Sequence, residues 1–281
     1  MTEHNTVQRI LPHVFLILAI IILLFPIWLV FIASTHTSAE ILSAPMPLTP
    51  GTHLVENYTR AVLEGNQNLG TSAFTMMKNS LIMALGISIG KIVVSLLAAF
   101  AIVFFHFRLR KFCFWAIFVT LMLPVEVRIM PTYKIVADLG LLDTYAGLIL
   151  PMIVSATAVF LFRQFFMQIP REIAEASQID GASPMQFFGK VLIPMTRTPI
   201  AAMFVIQFIY GWNQYLWPLL ITTKQEYYTL LIGINRMLSG ADVQIEWQIV
   251  MATTLLAMIP PALVVVVMQK QFIAGMTDTE K

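Results

Sequence analysis

Charged residues are scarce in this sequence. They make up 11% of the 281 residues, while 58% are hydrophobic; a soluble domain carries about 25% charged residues. The net charge is only +2, which leaves no basic face for nucleic acid. This composition predicts an integral membrane protein, and its long apolar runs predict an all-α one.

Cysteine is almost absent as well. Cys113 stands alone in an apolar run, so the chain cannot form an internal disulfide, and a small buried hydrophobic side chain is the simpler interpretation. The five histidines are scattered without the spacing of a metal site. We therefore expect neither a disulfide nor a metal.

The sequence also lacks a complete phosphate-binding loop. The nearest string is Gly86-Ile-Ser-Ile-Gly90-Lys91-Ile92. It has three residues between the glycines instead of four, and Ile92 stands where a Ser or Thr should hold the metal. No Ser–His–Asp or Cys–His arrangement stands out. We predict no catalytic residue and no enzymatic activity.

What is present is a set of apolar stretches long enough to cross a bilayer, which takes about 20 helical residues. There are six: Val14–Ser34, Ser80–Phe105, Phe112–Met130, Tyr145–Phe162, Pro199–Ile221 and Ile249–Met268. The first is too long for the apolar part of a secretion signal, and no cleavage site of A-x-A type follows it. We predict an uncleaved anchor there.

The basic residues predict the orientation of these spans. With the N-terminus in the cytoplasm, ten Lys and Arg residues lie inside and six lie outside or at the outer boundary. Cytoplasmic flanks carry the excess of Lys and Arg. We therefore expect both termini in the cytoplasm, together with the turn at 106–111 and the segment at 163–198.

That last segment is a polar insert between the fourth and fifth spans. Arg171–Asp180 contains neither Gly nor Pro and favours a helix of about 15 Å. Gly181 suits the position that ends it. Ser183 followed by Pro184 is typical of the start of a second helix. The sequence predicts a helix–turn–helix, either a docking surface or an ordinary amphipathic connector.

A motif in this insert resembles a known family. Its string is Glu175-Ala176-Ser177-x-x-Asp180-Gly181-Ala182, followed by Val191-x-Ile193-Pro194. It resembles the E-A-A-x-x-x-G motif of binding-protein-dependent ABC importer permeases, with Ser177 as a mild departure. The resemblance covers residues 72–275 and implies a type I ABC importer permease fold. That fold has six transmembrane helices and a cytoplasmic coupling helix between spans 4 and 5.

The same resemblance assigns the other segments. Residues 1–71 become an N-terminal anchor helix with a periplasmic loop, residues 72–275 the permease domain, and residues 276–281 a cytoplasmic tail. In that family, the coupling helix sits in a groove of the ATP-hydrolysing subunit and transmits its closure to the spans. The implied ATPase-coupling residues are Glu172, Glu175, Ala176, Asp180, Gly181, Ala182, Phe187 and Pro194.

The resemblance also implies the assembly. The expected partners are a second, different permease subunit, two copies of the ATPase subunit, a periplasmic substrate-binding protein and the lipid bilayer, without nucleic acid. This chain would bind no cofactor, because ATP and Mg would be held by the ATPase. The expected location is the bacterial inner membrane.

Polar residues inside spans are costly in lipid and are candidates for function. Arg128, with Glu126 nearby, could hold an anionic substrate by paired hydrogen bonds. The alternative is that both stabilise the end of a span or pair with a partner subunit. Lys91 is expected to snorkel or to face a subunit interface, and a direct role towards the substrate is the alternative.

A second polar stretch lies in the fifth predicted span. Its amide and aromatic side chains suit a polyol or a sugar-like solute; they are Trp212, Asn213, Gln214 and Tyr215. The alternative is an interfacial aromatic belt with a hinge at Gly211 and Pro218.

Longer strings sharpen the resemblance. They are Met122-Leu-Pro-Val-Glu-Val-Arg128, Phe160-Leu-Phe-Arg-Gln-Phe-Phe166, Asp180-Gly-Ala-Ser-Pro-Met185 and Tyr210-Gly-Trp-Asn-Gln-Tyr-Leu-Trp-Pro218. Together they are similar to permease subunits of bacterial importers for glycerol-3-phosphate, with glycerophosphodiesters as a second expected substrate class. The alternatives are an ABC importer permease for another sugar or polyol, an autonomous secondary transporter, and a membrane enzyme.

Overall fold

The structure is a computed structural model that describes residues 6–66, 69–239 and 244–277. Every regular element in these ranges is helical, as predicted. The α-helices are α1 (Thr6–Ser34), α2 (Ser38–Ile41), α3 (Leu54–Thr59), α4 (Ala73–Phe104), α5 (Arg110–Val119), α6 (Val125–Asp138), α7 (Tyr145–Ile149), α8 (Ala156–Gln168), α9 (Arg171–Ile179), α10 (Pro184–Phe187), α11 (Ile193–Met195), α12 (Arg197–Trp212), α13 (Leu216–Ile221), α14 (Leu230–Leu238) and α15 (Trp247–Thr277).

Three of these helices are long and apolar enough to cross a membrane by themselves. They contain the stretches Leu11–Ser34, Ala73–Phe104 and Trp247–Gln269. Two bent pairs pass the same test, namely Tyr145–Met152 with Ala156–Gln168, bent by 49°, and Pro184–Met195 with Arg197–Trp212, bent by 77°. The described residues therefore supply three clear spans, and up to five if each bent pair is one span.

The third predicted span differs most from its expectation, because 112–130 is not one helix. α5 ends at Val119, a 3-10 turn covers Thr120–Met122, and α6 begins after Pro124. Proline disfavours helical backbone at the residue before it and lacks an N–H to donate, so Leu123-Pro124 separates the two helices. The hydropathy of 112–130 did not reveal this break.

The fifth predicted span is interrupted too. α12 ends at Trp212 and α13 begins at Leu216, so Asn213, Gln214 and Tyr215 lie in a non-helical joint between the two helices. Such breaks at membrane depth are tolerated where the freed backbone groups find partners in the protein or line a cavity. The hinge expected between Gly211 and Pro218 corresponds to this joint.

The chain divides into two compact units. The first comprises Met1–Met76 and Gly233–Ile259. An ion pair of 2.6 Å joins Arg60 Nη2 and Glu246 Oε1 within it. A small buried cluster lies close to that pair in sequence and contains Ala61, Ile249 and Ala252. The ion pair and the cluster together tie the segment after α1 to the start of α15.

The second unit comprises Met77–Ile232 and Pro260–Lys281. It has two buried apolar clusters, and α4 contributes to both, with Met83 and Ile87 in one and Ile92 and Leu96 in the other. α4 is therefore the central helix of both cores in this unit.

Close packing against α4 explains its glycines. A Cβ on Gly86 would lie 2.6 Å from Ile149 Cδ1, and one on Gly90 would lie 2.5 Å from Ile153 Cγ2. Glycines four residues apart allow two membrane helices to approach closely. The string that failed as a phosphate-binding loop is thus a helix-packing surface.

Candidate functional site

The polar insert folds as the helix–turn–helix that its sequence predicts. α9 runs from Arg171 to Ile179, and Gly181 follows with φ 76°. The N–H of Gly181 donates to Gln178 O, and that of Ala182 donates to Ser177 O, each at 3.0 Å. These two bonds form a Schellman motif, which stops the helix and turns the chain.

The second helix starts as expected from Ser183 and Pro184. The Ser183 hydroxyl accepts from the N–H of Gln186, and the Gln186 side chain accepts from the N–H of Ser183, which completes a capping box. Beyond α10 the chain continues through a π-helical turn, Phe188–Leu192, into α11 and α12. The insert is thus joined to a membrane helix by nearly continuous helical backbone.

One surface of the insert points away from the rest of its unit. Glu172, Glu175, Ala176 and Asp180 are exposed, and Ile179 has 86% of its surface free. An exposed apolar side chain flanked by carboxylates and a small residue is typical of an interaction surface. Glu172, Glu175, Ala176, Asp180 and Ile179 are hereafter the α9 knob.

The opposite surface of the insert is anchored internally. Ile173 and Ala174 pack against the buried cluster that contains Phe100, Phe166 and Phe187. The Phe187 and Phe104 rings meet edge to face at 5.3 Å between centroids. This packing fixes the insert against α4 and α8.

Phe187 lies inside this chain rather than on the exposed surface of the insert. Only 7% of it is exposed, so its contacts are made inside this chain. Of the remaining predicted coupling residues, Pro194 is exposed, and Ala182 is half-buried beside a cavity described below.

A second polar site lies in the membrane-spanning core. Lys91, in the middle of α4, is 6% exposed. Its Nζ donates to Gln207 Oε1 of α12 at 3.1 Å and lies 3.6 Å from the centre of the Tyr210 ring. No carboxylate pairs with Lys91 within the described residues. An amide oxygen and an aromatic face thus hold a buried ammonium group.

Arg128 is associated with this group. It is exposed on α6, and its positive charge lies near enough to Lys91 for the two to repel each other. The side chain of Glu126 lies outside the described residues.

The predicted aromatic and amide residues separate into different environments. Trp212 is buried and stacks on Phe208 at 6.0 Å. Gln214 Nε2 donates to Tyr210 O at 3.1 Å, whereas Asn213 is exposed and Tyr215 is half-buried. Trp212 therefore packs inside this chain.

Gln207 is the residue that the sequence reasoning missed. It is buried, and its Nε2 also contacts Met203 Sδ at 3.3 Å. A glutamine inside an apolar span is itself a signal, because an uncharged amide in lipid needs a partner.

The chain matches one family model over most of its length. The model describes the binding-protein-dependent transport system inner membrane component and matches residues 91–278. Curated relatives match over all of both chains. The sn-glycerol-3-phosphate transport system permease proteins are 54% identical in Agrobacterium fabrum (strain C58 / ATCC 33970), 53% in Brucella melitensis biotype 1 and 51% in Escherichia coli O1:K1 / APEC.

A solved structure has a similar fold. It is a chain of a bacterial ABC transporter involved in the import of the acidic polysaccharide alginate. The TM-score is 0.82 at 22% identity, covering 97% of this chain and 99% of that one. At this identity the likeness concerns the fold alone.

Proposed function

This chain belongs to the family of binding-protein-dependent transport system inner membrane components, and on that premise we propose that it is a permease subunit of an ATP-driven importer for sn-glycerol-3-phosphate. The observation that carries this proposal is the 51–54% identity, over the full length, to permease proteins of sn-glycerol-3-phosphate transport systems. Glycerophosphodiesters are a second substrate class with the same phosphate chemistry.

The substrate assignment is supported by the charge of the core. Lys91 and Arg128 carry positive charges that are close enough to repel each other. A phosphate ester carries negative charge and accepts hydrogen bonds from both groups. A neutral sugar offers no negative charge to these two groups, which makes the sugar or polyol alternative less favourable.

The α9 knob is proposed to couple transport to ATP hydrolysis. Glu172 and Glu175 offer carboxylates for basic residues of an ATPase subunit, and Ile179 offers an apolar contact. Force on the knob would pass through Phe187 and the π-helical turn to α12, whose Gln207 and Tyr210 hold Lys91. Motion of this rigid path would switch access to the substrate pathway between the two sides of the membrane.

The proposed assembly follows the family. This chain pairs with a second permease subunit, and two copies of an ATPase subunit, which hold ATP and Mg, dock on the cytoplasmic side. A periplasmic binding protein delivers the substrate. We propose six transmembrane segments, residues 72–275 as the permease domain, residues 1–71 as anchor and periplasmic loop, and 276–281 as a cytoplasmic tail. Both termini are proposed to be cytoplasmic in the inner membrane.

The test is substrate-stimulated ATPase activity of the complete complex reconstituted in lipid. We expect stimulation by sn-glycerol-3-phosphate with its binding protein, weaker stimulation by glycerophosphodiesters, and none by maltose or glycerol. Stimulation by neutral sugars alone would assign the chain to a sugar importer. Uptake by this chain alone, driven by an ion gradient, would instead support a secondary transporter.

A further inference from the structure

A cavity of about 1030 Å³ lies beside α9. The ends of α4 and α8 and the starts of α5 and α9 surround it. The cavity is separate from the contacts of Lys91. It shares one residue, Glu175, with the α9 knob.

The lining of this cavity is strongly basic. Its side chains include five basic ones against a single acidic one, Glu175; the basic ones are His106, Arg110, Lys111, Arg163 and Arg171. None of the five forms an ion pair within the described part of the chain. The four Arg and Lys side chains among them are positively charged at pH 7, and such a concentration of charge attracts an anion.

Arg163 is the most informative of these residues. It lies in α8, and its guanidinium carbon stands 4.1 Å from the centre of the Phe114 ring. Its Nε is buried and has no hydrogen-bond partner among the described residues. A buried guanidinium N–H without an acceptor is costly, and a phosphate oxygen in the cavity would provide that acceptor.

The remainder of the lining is apolar. Phe104, Phe114, Trp115 and Met167 contribute to the walls. Trp115 is 58% exposed, and its neighbours Phe112 and Val119 on α5 are 69% and 53% exposed. A basic pocket that opens onto an exposed apolar helix matches a molecule with a charged head and a hydrocarbon tail. A free phosphate ion would use only the first of these features.

We propose that this cavity binds the phosphate headgroup of an anionic phospholipid, with an acyl chain lying along Phe112, Trp115 and Val119 of α5. The lipid would wedge between α5, α8 and α9 and stabilise the position from which the knob projects. In the proposed orientation the cavity faces the cytoplasmic leaflet, where basic residues collect. An acidic side chain from another protein subunit is the competing occupant.

The test compares lipid retention by variants of the full chain purified from membranes. Arg110→Gln with Lys111→Gln removes two lining charges, and Arg108→Gln is the matched control, since Arg108 lies in the same segment but does not line the cavity. Native mass spectrometry would count phosphatidylglycerol bound after exchange into mixed phosphatidylglycerol and phosphatidylcholine micelles. We expect about fivefold weaker retention for each charge removed, and no change in the control.

A second pair of variants separates charge from folding. Arg163→Gln should lose the bound lipid, while Arg163→Lys should retain part of it because the positive charge remains. Equal lipid retention by wild type and all lining variants would overturn the proposal. So would displacement of the lipid by inorganic phosphate, or equal retention of phosphatidylcholine, since either shows a site that does not select an anionic lipid. None of these readouts depends on the transported substrate.

Discussion

At the scale of single residues, Asp143 acts as a clamp between two loops. Its carboxylate accepts hydrogen bonds from the Thr223 N–H and hydroxyl, each at 2.6 Å, and from the Lys224 N–H at 2.9 Å. Its own N–H donates to Ile221 O at 3.0 Å, and its φ is 52°. The clamp holds the loop before α7 against the end of α13.

These bonds make the clamp sensitive to pH. Burial raises the pKa of Asp143, but the hydrogen bonds from Lys224 and Thr223 outweigh it and lower the pKa below its ordinary value of 3.8. A carboxyl whose pKa is lowered by folding contributes stability above its unfolded pKa, and this contribution is lost as the pH falls through the folded pKa.

We predict that Asp143→Ala lowers the free energy of unfolding at pH 7 by about 1 kcal/mol. This is the contribution of a hydrogen bond to a charged group, reduced because solvent screens the charge. Asp143→Asn tolerates the positive φ and should lose less. Thermal unfolding of the purified chain measures both. The difference in the free energy of unfolding between wild type and Asp143→Ala should shrink below about pH 3.8. If that difference does not change with pH, the carboxylate is not its cause.

Substitutions of two further single residues, Lys91 and Arg128, test the proposed substrate. We predict that Arg128→Ala weakens uptake of sn-glycerol-3-phosphate by about tenfold, because the substrate would lose one hydrogen bond from a charged group. Lys91→Met keeps the length of the side chain and should reduce uptake further. Transport of labelled substrate into cells gives KM and the maximal rate.

The control for this pair is Lys78→Met, since Lys78 is exposed nearer the start of α4 and lies outside the Lys91 contacts. Its uptake should equal that of wild type. Normal kinetics for Arg128→Ala, with the protein present at normal levels, would leave Arg128 with a structural role at the end of α6.

At the scale of elements, the turn after α9 decides how the knob is presented. Gly181 and Gly140 have nearly the same conformation, with φ of 76° and 68°, and each closes a helix by the same pair of backbone bonds. A Cβ would meet nothing within 4 Å at either position. Both glycines are therefore required by backbone conformation rather than by space.

This pair allows a matched experiment. Valine at either position strains the backbone by about 1–2 kcal/mol, but only position 181 belongs to the proposed coupling element. We predict that Gly181→Val reduces transport per ATP hydrolysed by about tenfold, within the usual range of coupling free energies, and that Glu175→Ala acts in the same direction. Gly140→Val should keep wild-type coupling.

Uptake and ATPase activity must be measured on the same reconstituted complex. If Gly181→Val and Gly140→Val behave alike, the effect comes from general destabilisation and the coupling role of the turn is wrong.

At the scale of the whole molecule, orientation is the property on which the mechanism depends. Ile179 on the knob and Leu63 in the loop after α1 are both strongly exposed, at 86% and 70%. The basic-residue distribution predicts that they lie on opposite sides of the membrane. A single cysteine at each position therefore reports the orientation directly.

We predict that Ile179→Cys, in a Cys113→Ser background, reacts with a membrane-impermeant maleimide only in inverted vesicles. Leu63→Cys should react in intact spheroplasts. The background itself, which has no cysteine, measures unspecific labelling. Reaction of Ile179→Cys from the periplasmic side would place the knob away from any cytoplasmic ATPase and end the proposed mechanism.

Much of this molecule was accessible from the sequence because its signals are local. Scarce charge predicted the membrane environment, and the order of Gly181, Ser183 and Pro184 predicted the helix–turn–helix to within a residue or two. Caps and turns depend on side chains a few positions apart, which a sequence displays directly. The motif around Glu175 added the family, which the comparisons confirm.

The sequence alone was therefore enough to predict the membrane environment, the family and the caps of α9 and α10. The burial of Phe187 and the contacts of Lys91 with Gln207 and Tyr210 became visible only in the folded chain. The partners of Lys91 lie more than a hundred residues away in the chain. Such pairings arise from helix packing, and no periodicity within one helix specifies which residue of another will meet it.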